Sequence, residues 1–279
     1  MFVKMELIKC FKALSDNTRL RLLYVLQQYE LNVNEIVFVV DMIQSGVSRH
    51  LKILLDSGLL TSRREGSFTY YCAAKNDMAG SLIQLIEKNL SQKDITRQDL
   101  KKAREMIKIR QNRTKRFFKH IAPQWDRLKK EVLGDLDLRA VIKNRVIFSG
   151  YVADLGCGTG ELIEGLAKDT SHNFIGIDYS PEMLEQARLR LFRTNNAELR
   201  LGELEHLPMK NEEIDMAIMN MVLHHISQPE LSIAEAYRVL KPEGYFILSD
   251  FQKHDQKNIN EIMGGSWLGF EKEKIKDWL

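Results

Sequence analysis

The 279-residue sequence predicts an α/β fold, in which a doubly wound parallel sheet follows a smaller helical domain. Strand and helix patterns alternate through residues 151–279, whereas the first 75 residues combine short helical patterns with a hairpin pattern. Charge divides the chain in the same way. Residues 1–122 carry 22 Lys and Arg against 12 Asp and Glu, and residues 123–279 carry 19 against 26. The two parts are therefore expected to have different partners.

Three segments predict the helices of the first part. "LSDNTRLRLLYVLQQ" offers Ser15 or Asp16 as an N-cap and spaces its apolar residues as a helix does. "NVNEIVFVVDM" is rich in β-branched residues, so its composition also allows a strand. "QSGVSRHLKILLDSGLL" places Val47 and its leucines on one helical face. A hairpin is predicted in "LLTSRREGSFTYYCAA", around Glu65-Gly66-Ser67.

The middle of the chain, residues 78–150, is predicted to be helical and mostly polar. "SLIQLIEKNL" carries an apolar stripe over residues 82–90. Residues 101–119 hold nine basic residues and one acid, which suits a solvated connecting helix or, alternatively, a face that contacts phosphates. Phe117, Phe118 and Trp125 interrupt the polar run and are expected to dock on the domain that follows.

The last 129 residues predict five core strands, which are "YVADLG", "NFIGID", "AELRLGE", "IDMAIMN" and "GYFILSD". Helical segments separate most of them, as a parallel sheet requires. No apolar run is long enough to span a membrane, and the first residues do not resemble a secretory signal. The three cysteines are far apart and form no CxxC pair, which argues against disulfides and a zinc site and favours a cytoplasmic protein.

The segment "DLGCGTG" at 154–160 follows the first of these strands and precedes a helix. A ligand of a doubly wound sheet binds at this position, beyond the carboxyl ends of the strands. Glycine lets the ligand approach the backbone closely. The dinucleotide pattern G-x-G-x-x-G would need glycine at position 161, where this chain has Glu161. The observed pattern is D-x-G-x-G-x-G instead.

This pattern resembles motif I of the class I S-adenosylmethionine-dependent methyltransferases, which have a Rossmann-like fold. "GELEHLP", "NMVLHHI" and "VLKPEGY" resemble further family segments, although Glu203 replaces the usual Asp and Glu243 departs from a glycine. The resemblance covers about 117–279. It implies S-adenosylmethionine as cofactor and a domain without the family's last two strands. Its predicted cofactor-binding residues are Asp154, Gly156, Cys157, Gly158, Gly160, Asp178, Tyr179, Met183, Glu203, Leu204 and Asn220.

The resemblance also implies roles for some of these residues. Asp178 would accept hydrogen bonds from the two ribose hydroxyls, Tyr179 would lie against the adenine ring, and Glu203 would reach the adenine amino group. Methyl transfer needs mainly alignment of the acceptor and exclusion of water, so no obvious catalytic set is expected. His224 and His225 are candidates for a general base, with a structural role as the alternative.

The first part resembles the ArsR-type winged helix-turn-helix repressors over about 5–90, through "ALSDNTRLRLLYVL", "QSGVSRHLKILLDSGLL" and "RREGSFTYY". The resemblance implies double-stranded DNA as partner, a homodimer formed through residues 82–90, and a palindromic operator. Asn32-Val33-Asn34 stands where relatives have a Cys-x-Cys metal pair, so no metal is predicted. The predicted DNA-binding residues are Gln44, Ser45, Ser48, Arg49, His50, Lys52, Arg63 and Arg64.

These observations predict a winged helix-turn-helix domain at 1–76, a helical dimerisation or linker region at 77–122 and a methyltransferase domain at 123–279. The favoured function is an ArsR-like regulator fused to an S-adenosylmethionine-dependent methyltransferase with a small-molecule acceptor. Two alternatives stay open. In the first, the protein is a DNA-binding regulator that only senses S-adenosylmethionine. In the second, it is a metabolic methyltransferase whose winged helix no longer binds DNA.

Overall fold

The computed structural model describes residues 2–65, 68–74, 79–84, 94–134, 142, 150–168, 172–256, 259 and 262–279. The chain forms two compact units, residues 1–110 and 111–279. Among the described residues, none of the helices combines the length and the apolar character needed to cross a bilayer. The predicted domain boundaries at 76 and 122 stay predictions.

The first unit begins with the helices α1 (Phe2–Leu14), α2 (Asn17–Gln28), α3 (Val33–Val40) and α4 (Gln44–Asp56). Asp16 caps α2, because its carboxylate accepts a hydrogen bond from the Arg19 N–H at 3.0 Å. Helix α3 is the segment whose composition also allowed a strand. Asn32 and Glu35 form a reciprocal capping box there, which satisfies the first backbone donors and favours the helix over the strand.

A three-stranded antiparallel sheet completes this unit, in the order β1 (Leu31–Asn32), β3 (Phe68–Ala73) and β2 (Leu60–Glu65). Strands β2 and β3 form the predicted hairpin, although its turn residues 66 and 67 lie outside the described residues. Buried leucines from α2 and α4, including Leu22, Leu26 and Leu51, form the core. Residues 79–84 are helical, while residues 85–90 of the predicted dimer stripe lie outside the described residues.

Helix α5 (Asp94–Ile121) is 28 residues long and contributes residues to both units. A single 3₁₀ turn (Ala122–Gln124) and helix α6 (Trp125–Leu133) follow it. In the second unit, Phe118, Ala122 and Trp125 form a small buried cluster with Met183 and Met263. The aromatic residues that interrupt the polar run therefore have a packing function within the second unit.

A five-stranded parallel sheet forms the centre of the second unit, in the order β6-β5-β4-β7-β8. The predicted α/β class and its five strands are confirmed. Helices α7 and α8 pack on one face and α9 on the other, so both faces are covered. The strands are β4 (Tyr151–Leu155), β5 (Asn173–Asp178), β6 (Ala197–Leu201), β7 (Ile214–Asn220) and β8 (Leu240–Ser249), and the helices are α7 (Glu161–Ala167), α8 (Pro181–Arg190), α9 (Pro229–Val239) and α10 (Lys272–Trp278).

The first strand of this sheet, β4, lies between β5 and β7. The chain therefore moves outward to one side through β5 and β6, and returns to the other side through β7 and β8. This reversal is the topological switch point at which ligands of such sheets bind. The structure places "DLGCGTG" there, because these residues end β4 and lead into α7.

Candidate methyl-donor and acceptor site

A cavity opens in the second unit at the carboxyl ends of β4, β5 and β7 and the loop after β6. It brings together ten of the eleven residues predicted to bind the cofactor. Gly160 does not line the cavity; it caps the start of α7 behind the loop. The ten are Asp154, Gly156, Cys157, Gly158, Asp178, Tyr179, Met183, Glu203, Leu204 and Asn220.

The glycine loop is held tightly against its neighbours. The N–H groups of Gly156 and Cys157 both donate to the carbonyl of Ile177, at 2.7 and 2.9 Å. Gly156 has a φ of +85°, and a Cβ there would come within 2.3 Å of Val222 Cγ2. The loop after β4 therefore packs against the residue two positions after β7, and only glycine fits this close approach.

Asp178, at the end of β5, fastens the same loop. Its carboxylate accepts hydrogen bonds from the Gly158 and Ser180 N–H groups, both at 2.9 Å. Burial raises the pKa of Asp178 to about 6, while the backbone donors act in the opposite direction. Each carboxylate oxygen keeps a further acceptor site, so the side chain can still receive hydrogen bonds from a ligand.

Asp154 lies at the other end of the glycine loop and is 2% exposed. Burial raises its pKa to about 7; the positive charge of Lys129 lowers it and the nearby Asp178 raises it further. Lys129 itself pairs with Glu161 in the first turn of α7. Asp154 and Asp178, two buried carboxyl groups with elevated pKa values, therefore line one cavity together with the paired Lys129. Clusters of groups with shifted pKa values are common at functional sites.

Cys157 is buried in the loop between these two carboxylates. Burial and the charges of Asp178 and Asp154 raise the pKa of its thiol well above the ordinary value. A thiol that stays protonated is a poor nucleophile. Its small side chain fills space beside Gly176, where a Cβ would come within 3.0 Å of the sulfur.

Residues from α5 and α6 form one wall of the cavity. None of them is among the residues predicted from the sequence to bind the cofactor. Phe118 and Trp125 line it, with ring centroids 5.1 Å apart in an edge-to-face arrangement. Lys115 Nζ pairs with Glu203 Oε1 at 2.8 Å, beside the ring of Tyr179. The sequence feature that pointed to this wall is the interruption of a polar helix by aromatic residues. It predicted that these residues pack on the following domain, but it did not predict that they line a ligand cavity.

Helix α6 is locked to the loop by a polar network. The Thr159 hydroxyl donates to Asp126 Oδ1 at 2.7 Å, and Arg190 donates to the Thr159 hydroxyl at 2.9 Å and also pairs with Asp126. The pKa of Asp126 is lowered: its hydrogen bonds from Arg190 and Thr159 outweigh the burial that would raise it. This network positions the neighbouring Trp125 over the cavity.

The two histidines after β7 have different surroundings. His224 is 1% exposed, its Nδ1 lies 2.8 Å from Asp250 Oδ1, and it does not line the cavity. His225 does line the cavity and is 7% exposed. Its two ring nitrogens have no hydrogen-bond partner of normal geometry among the described residues. The structure therefore separates the two candidates that the sequence could not distinguish.

In the first unit, most of the predicted DNA-binding residues are exposed on or near α4. Arg63 and His50 are less exposed and have partners within the unit. Arg63 donates to both carboxylate oxygens of Glu30, at 2.8 and 2.6 Å, and stacks on Tyr70, while His50 lies 3.8 Å from Asp16. No cluster of three potential metal ligands occurs in the part of the chain that the structure describes. The predicted DNA-binding residues that are exposed are Gln44, Ser45, Ser48, Arg49, Lys52 and Arg64.

The parallel sheet and its glycine loop define a domain of the class I methyltransferase type, and the helices with their hairpin define a winged helix-turn-helix. Comparisons with known proteins agree. Residues 153–248 match the family model of a methyltransferase domain, and residues 16–62 match that of bacterial regulatory proteins of the arsR family. The chain thus combines an arsR-type region with a methyltransferase domain.

Similar proteins cover parts of the chain. A demethylmenaquinone methyltransferase of Lactobacillus johnsonii is 31% identical over 137 residues, which are 46% of this chain and 56% of the relative. An arsenite methyltransferase of Halobacterium salinarum is 35% identical over 103 residues, 36% of this chain and 26% of the relative. The chain thus spans about half or less of the length of these relatives.

One solved structure shows the same fold. It is a chain of the Haloferax volcanii complex between the Trm112 methyltransferase activator and a methyltransferase. The TM-score is 0.50 and the identity 20%, over 58% of this chain and 73% of that chain.

Proposed function

We propose that the second unit binds S-adenosylmethionine in the cavity and transfers its methyl group to a small organic acceptor. The observation that carries this proposal is the pair of buried carboxylates, Asp154 and Asp178, on either side of a glycine loop at the switch point of the sheet. In this proposal Asp178 accepts hydrogen bonds from the ribose hydroxyls, and Tyr179 and Glu203 contact the adenine.

The residues present fit such a cofactor. A Cβ at Gly158 would have no neighbour closer than 3.7 Å, so the loop leaves open space where a ligand needs it. The Tyr179 hydroxyl is buried beside the cavity and has no hydrogen-bond partner among the described residues. Carboxylates suit the hydroxyl and amino donors of a nucleoside and an amino acid.

When bound, the cofactor supplies an electrophilic methyl group on a positively charged sulfur. The chain's own residues supply orientation and a dry environment. Phe118, Trp125 and Met183 cover one side of the cavity with apolar surface, and the Asp126–Thr159–Arg190 network fixes that wall. The carboxyl groups of Asp154 and Asp178 line the cavity that would hold the positively charged sulfur, and either of them would stabilise that charge when ionised.

We further propose that the first unit binds operator DNA as a homodimer, so that the protein is a regulator fused to an enzyme. The exposed polar face of α4 and its match to the arsR family support this proposal. Arg49 and Lys52 are the residues on that face best suited to phosphate contact. A two-fold dimer would match a palindromic operator.

The acceptor is proposed to be organic and not arsenite. The relatives include methyltransferases named for both kinds of acceptor. Trivalent arsenic is a soft centre that needs several thiolates, and the second unit contains a single cysteine, the buried Cys157. An uncharged organic acceptor suits the apolar wall.

Two measurements on the full-length protein test these proposals. Calorimetry with S-adenosylmethionine and S-adenosylhomocysteine is expected to show one site per chain. No heat of binding for either compound would end the cofactor proposal. A gel shift with the promoter region of the protein's own gene is expected to show retention that weakens with salt, and its absence would leave the alternative of a metabolic methyltransferase.

A further inference from the structure

His225 is a buried polar group that the packing of the unit does not use. Its ring lines the cavity and is 7% exposed, and neither nitrogen has a hydrogen bond of normal geometry among the described residues, although the Gly264 backbone is close enough to influence the pKa of the ring. A buried imidazole without partners costs free energy that native structures usually avoid. Such a group, facing a cavity, indicates a partner that arrives with a ligand.

The orientation of the His225 ring is nevertheless fixed. Phe118 contacts it edge-to-face at a centroid distance of 4.8 Å, and Trp125 at 5.9 Å. The His224 ring lies 3.9 Å away and is itself held by Asp250. Three rings thus hold His225 at the cavity wall, and the Gly264 backbone is the one backbone group among the described residues that influences the pKa of the ring, which leaves a ring nitrogen for a ligand.

The strand order tells which end of the cavity His225 occupies. This step rests on the proposed function, in which Asp178 and Glu203 hold the nucleoside after β5 and β6. The glycine loop after β4 would then hold the methionine portion, and the segment after β7 is the remaining part of the cavity lining. His225 follows β7 by five residues, in a single 3₁₀ turn (Leu223–His225).

We propose that His225 faces the methyl-transfer position and accepts the proton of a flat, uncharged acceptor that bears an ionisable hydroxyl group. Phe118, Trp125 and Ile226 offer this acceptor flat and apolar surfaces. Both lysines in the cavity lining, Lys115 and Lys129, are already paired with carboxylates. An acceptor with a permanent negative charge would therefore find no unpaired cation there.

The reaction balances with this assignment. The acceptor oxygen attacks the methyl carbon, the C–O bond forms, and the C–S bond breaks with its electron pair passing to sulfur. The hydroxyl proton moves to a ring nitrogen of His225. One positive charge leaves the sulfur and one appears on the imidazole, so the net charge of the cavity does not change.

The electrostatics keep His225 in its neutral form before methyl transfer. Burial and the neighbouring His224 hold the pKa of His225 well below its ordinary value, against an opposing contribution from the Gly264 backbone. The ring is therefore neutral and able to accept a proton. A positively charged sulfur nearby lowers the pKa further, and methyl transfer removes that repulsion.

The first test compares two ligands that differ only in the methyl group and its charge. With isotope-labelled histidine, we expect the His225 ring to show the largest difference among the seven histidines between the S-adenosylmethionine and S-adenosylhomocysteine complexes. His225→Gln assigns the signal, and His225→Asn replaces that variant if it fails to fold. An unchanged His225 signal would overturn the proposal. If calorimetry detects neither ligand, the cofactor proposal fails as well.

The second test uses para-nitrophenol, whose visible band is lost once its hydroxyl is methylated. The wild-type complex with S-adenosylhomocysteine is expected to bind the probe without ionising it, because the pKa of His225 lies well below its ordinary value. With S-adenosylmethionine, His225→Gln should bind the probe within about threefold but methylate it about a hundredfold more slowly, and the exposed His206→Gln should match the wild type. No binding to the wild type would contradict the acceptor class, and an unchanged methylation rate in His225→Gln would contradict the role of His225.

Discussion

The two units of this protein place their candidate functional side chains in opposite environments. In the first unit, Arg49 and Lys52 lie exposed on α4, where a polymeric anion can reach them. In the second, Asp154 and Asp178 are buried beside a cavity and have elevated pKa values. The same kind of signal, a polar residue within a motif, thus corresponds to screened charge in one unit and to desolvated charge in the other.

Because of this difference, we expect different solution conditions to control the proposed DNA binding and the proposed cofactor binding. Exposed charges act through counterion release, so salt should govern the first unit. Buried groups act through packing and hydrogen bonds, so steric fit and pH should govern the second. The four predictions below test this comparison. All three tryptophans, Trp125, Trp267 and Trp278, belong to residues 111–279, so tryptophan fluorescence follows the second unit alone.

The largest effect is expected for Gly156→Ala. The new methyl group would meet Val222 at 2.3 Å on a backbone of positive φ, so the free energy of unfolding should fall by about 2–4 kcal/mol. Urea unfolding followed by tryptophan fluorescence measures this. Val222→Ala in the same chain should restore part of the loss. Gly158→Ala, which has positive φ but open space, should cost less; an equal cost would show that the close contact is unimportant.

Asp178→Ala should weaken the binding of S-adenosylmethionine by about 1.5–3 kcal/mol, because a charged acceptor for the ribose and the tether of Gly158 are both lost. Calorimetry measures the dissociation constant. The exposed Asp255→Asn is the control and should bind as the wild type does. Unchanged affinity in Asp178→Ala would remove Asp178 from the cofactor site.

The second unit should lose stability as pH rises. Burial raises the pKa of Asp154 to about 7 from an ordinary value of 3.8, so between these pH values the folded unit binds more protons than the unfolded chain. The contribution is complete at low pH and is lost through about pH 7. Asp154→Asn should reduce the difference in unfolding free energy between pH 5 and pH 8 by on the order of 1 kcal/mol or more. A variant with the wild-type pH dependence would refute the buried, protonated state.

The smallest effect is expected in the first unit. Arg49→Ala should weaken operator binding by about 1 kcal/mol and reduce the salt slope by about 0.9, the value for one phosphate contact. Arg63→Ala is the matched variant. Because Arg63 is already paired with Glu30, its loss should change the thermal stability more than the salt slope. Equal salt slopes for the two variants would show that exposure on α4 does not identify the contacts.

Much of the second unit could be predicted because its signals are local. Alternating strands and helices predict a parallel sheet, and the spacing of Asp154 and three glycines predicts a ligand loop at its switch point. The amphipathic pattern of α4 is local in the same sense. Helix α3 forms although its β-branched composition also allows a strand. Its capping box favours the helix, since Asn32 and Glu35 satisfy backbone donors at the start of the helix.

Contacts between residues far apart in the chain could not be predicted. Local patterns predicted the classes of the two parts, the glycine loop and ten of the residues that line one cavity. Folding decided that Phe118 and Trp125 form its wall, that Arg63 pairs with Glu30, and that His225 faces the cavity while His224 bonds to Asp250. Two adjacent histidines look alike in a sequence, because burial and hydrogen bonding are set by partners that no local pattern contains.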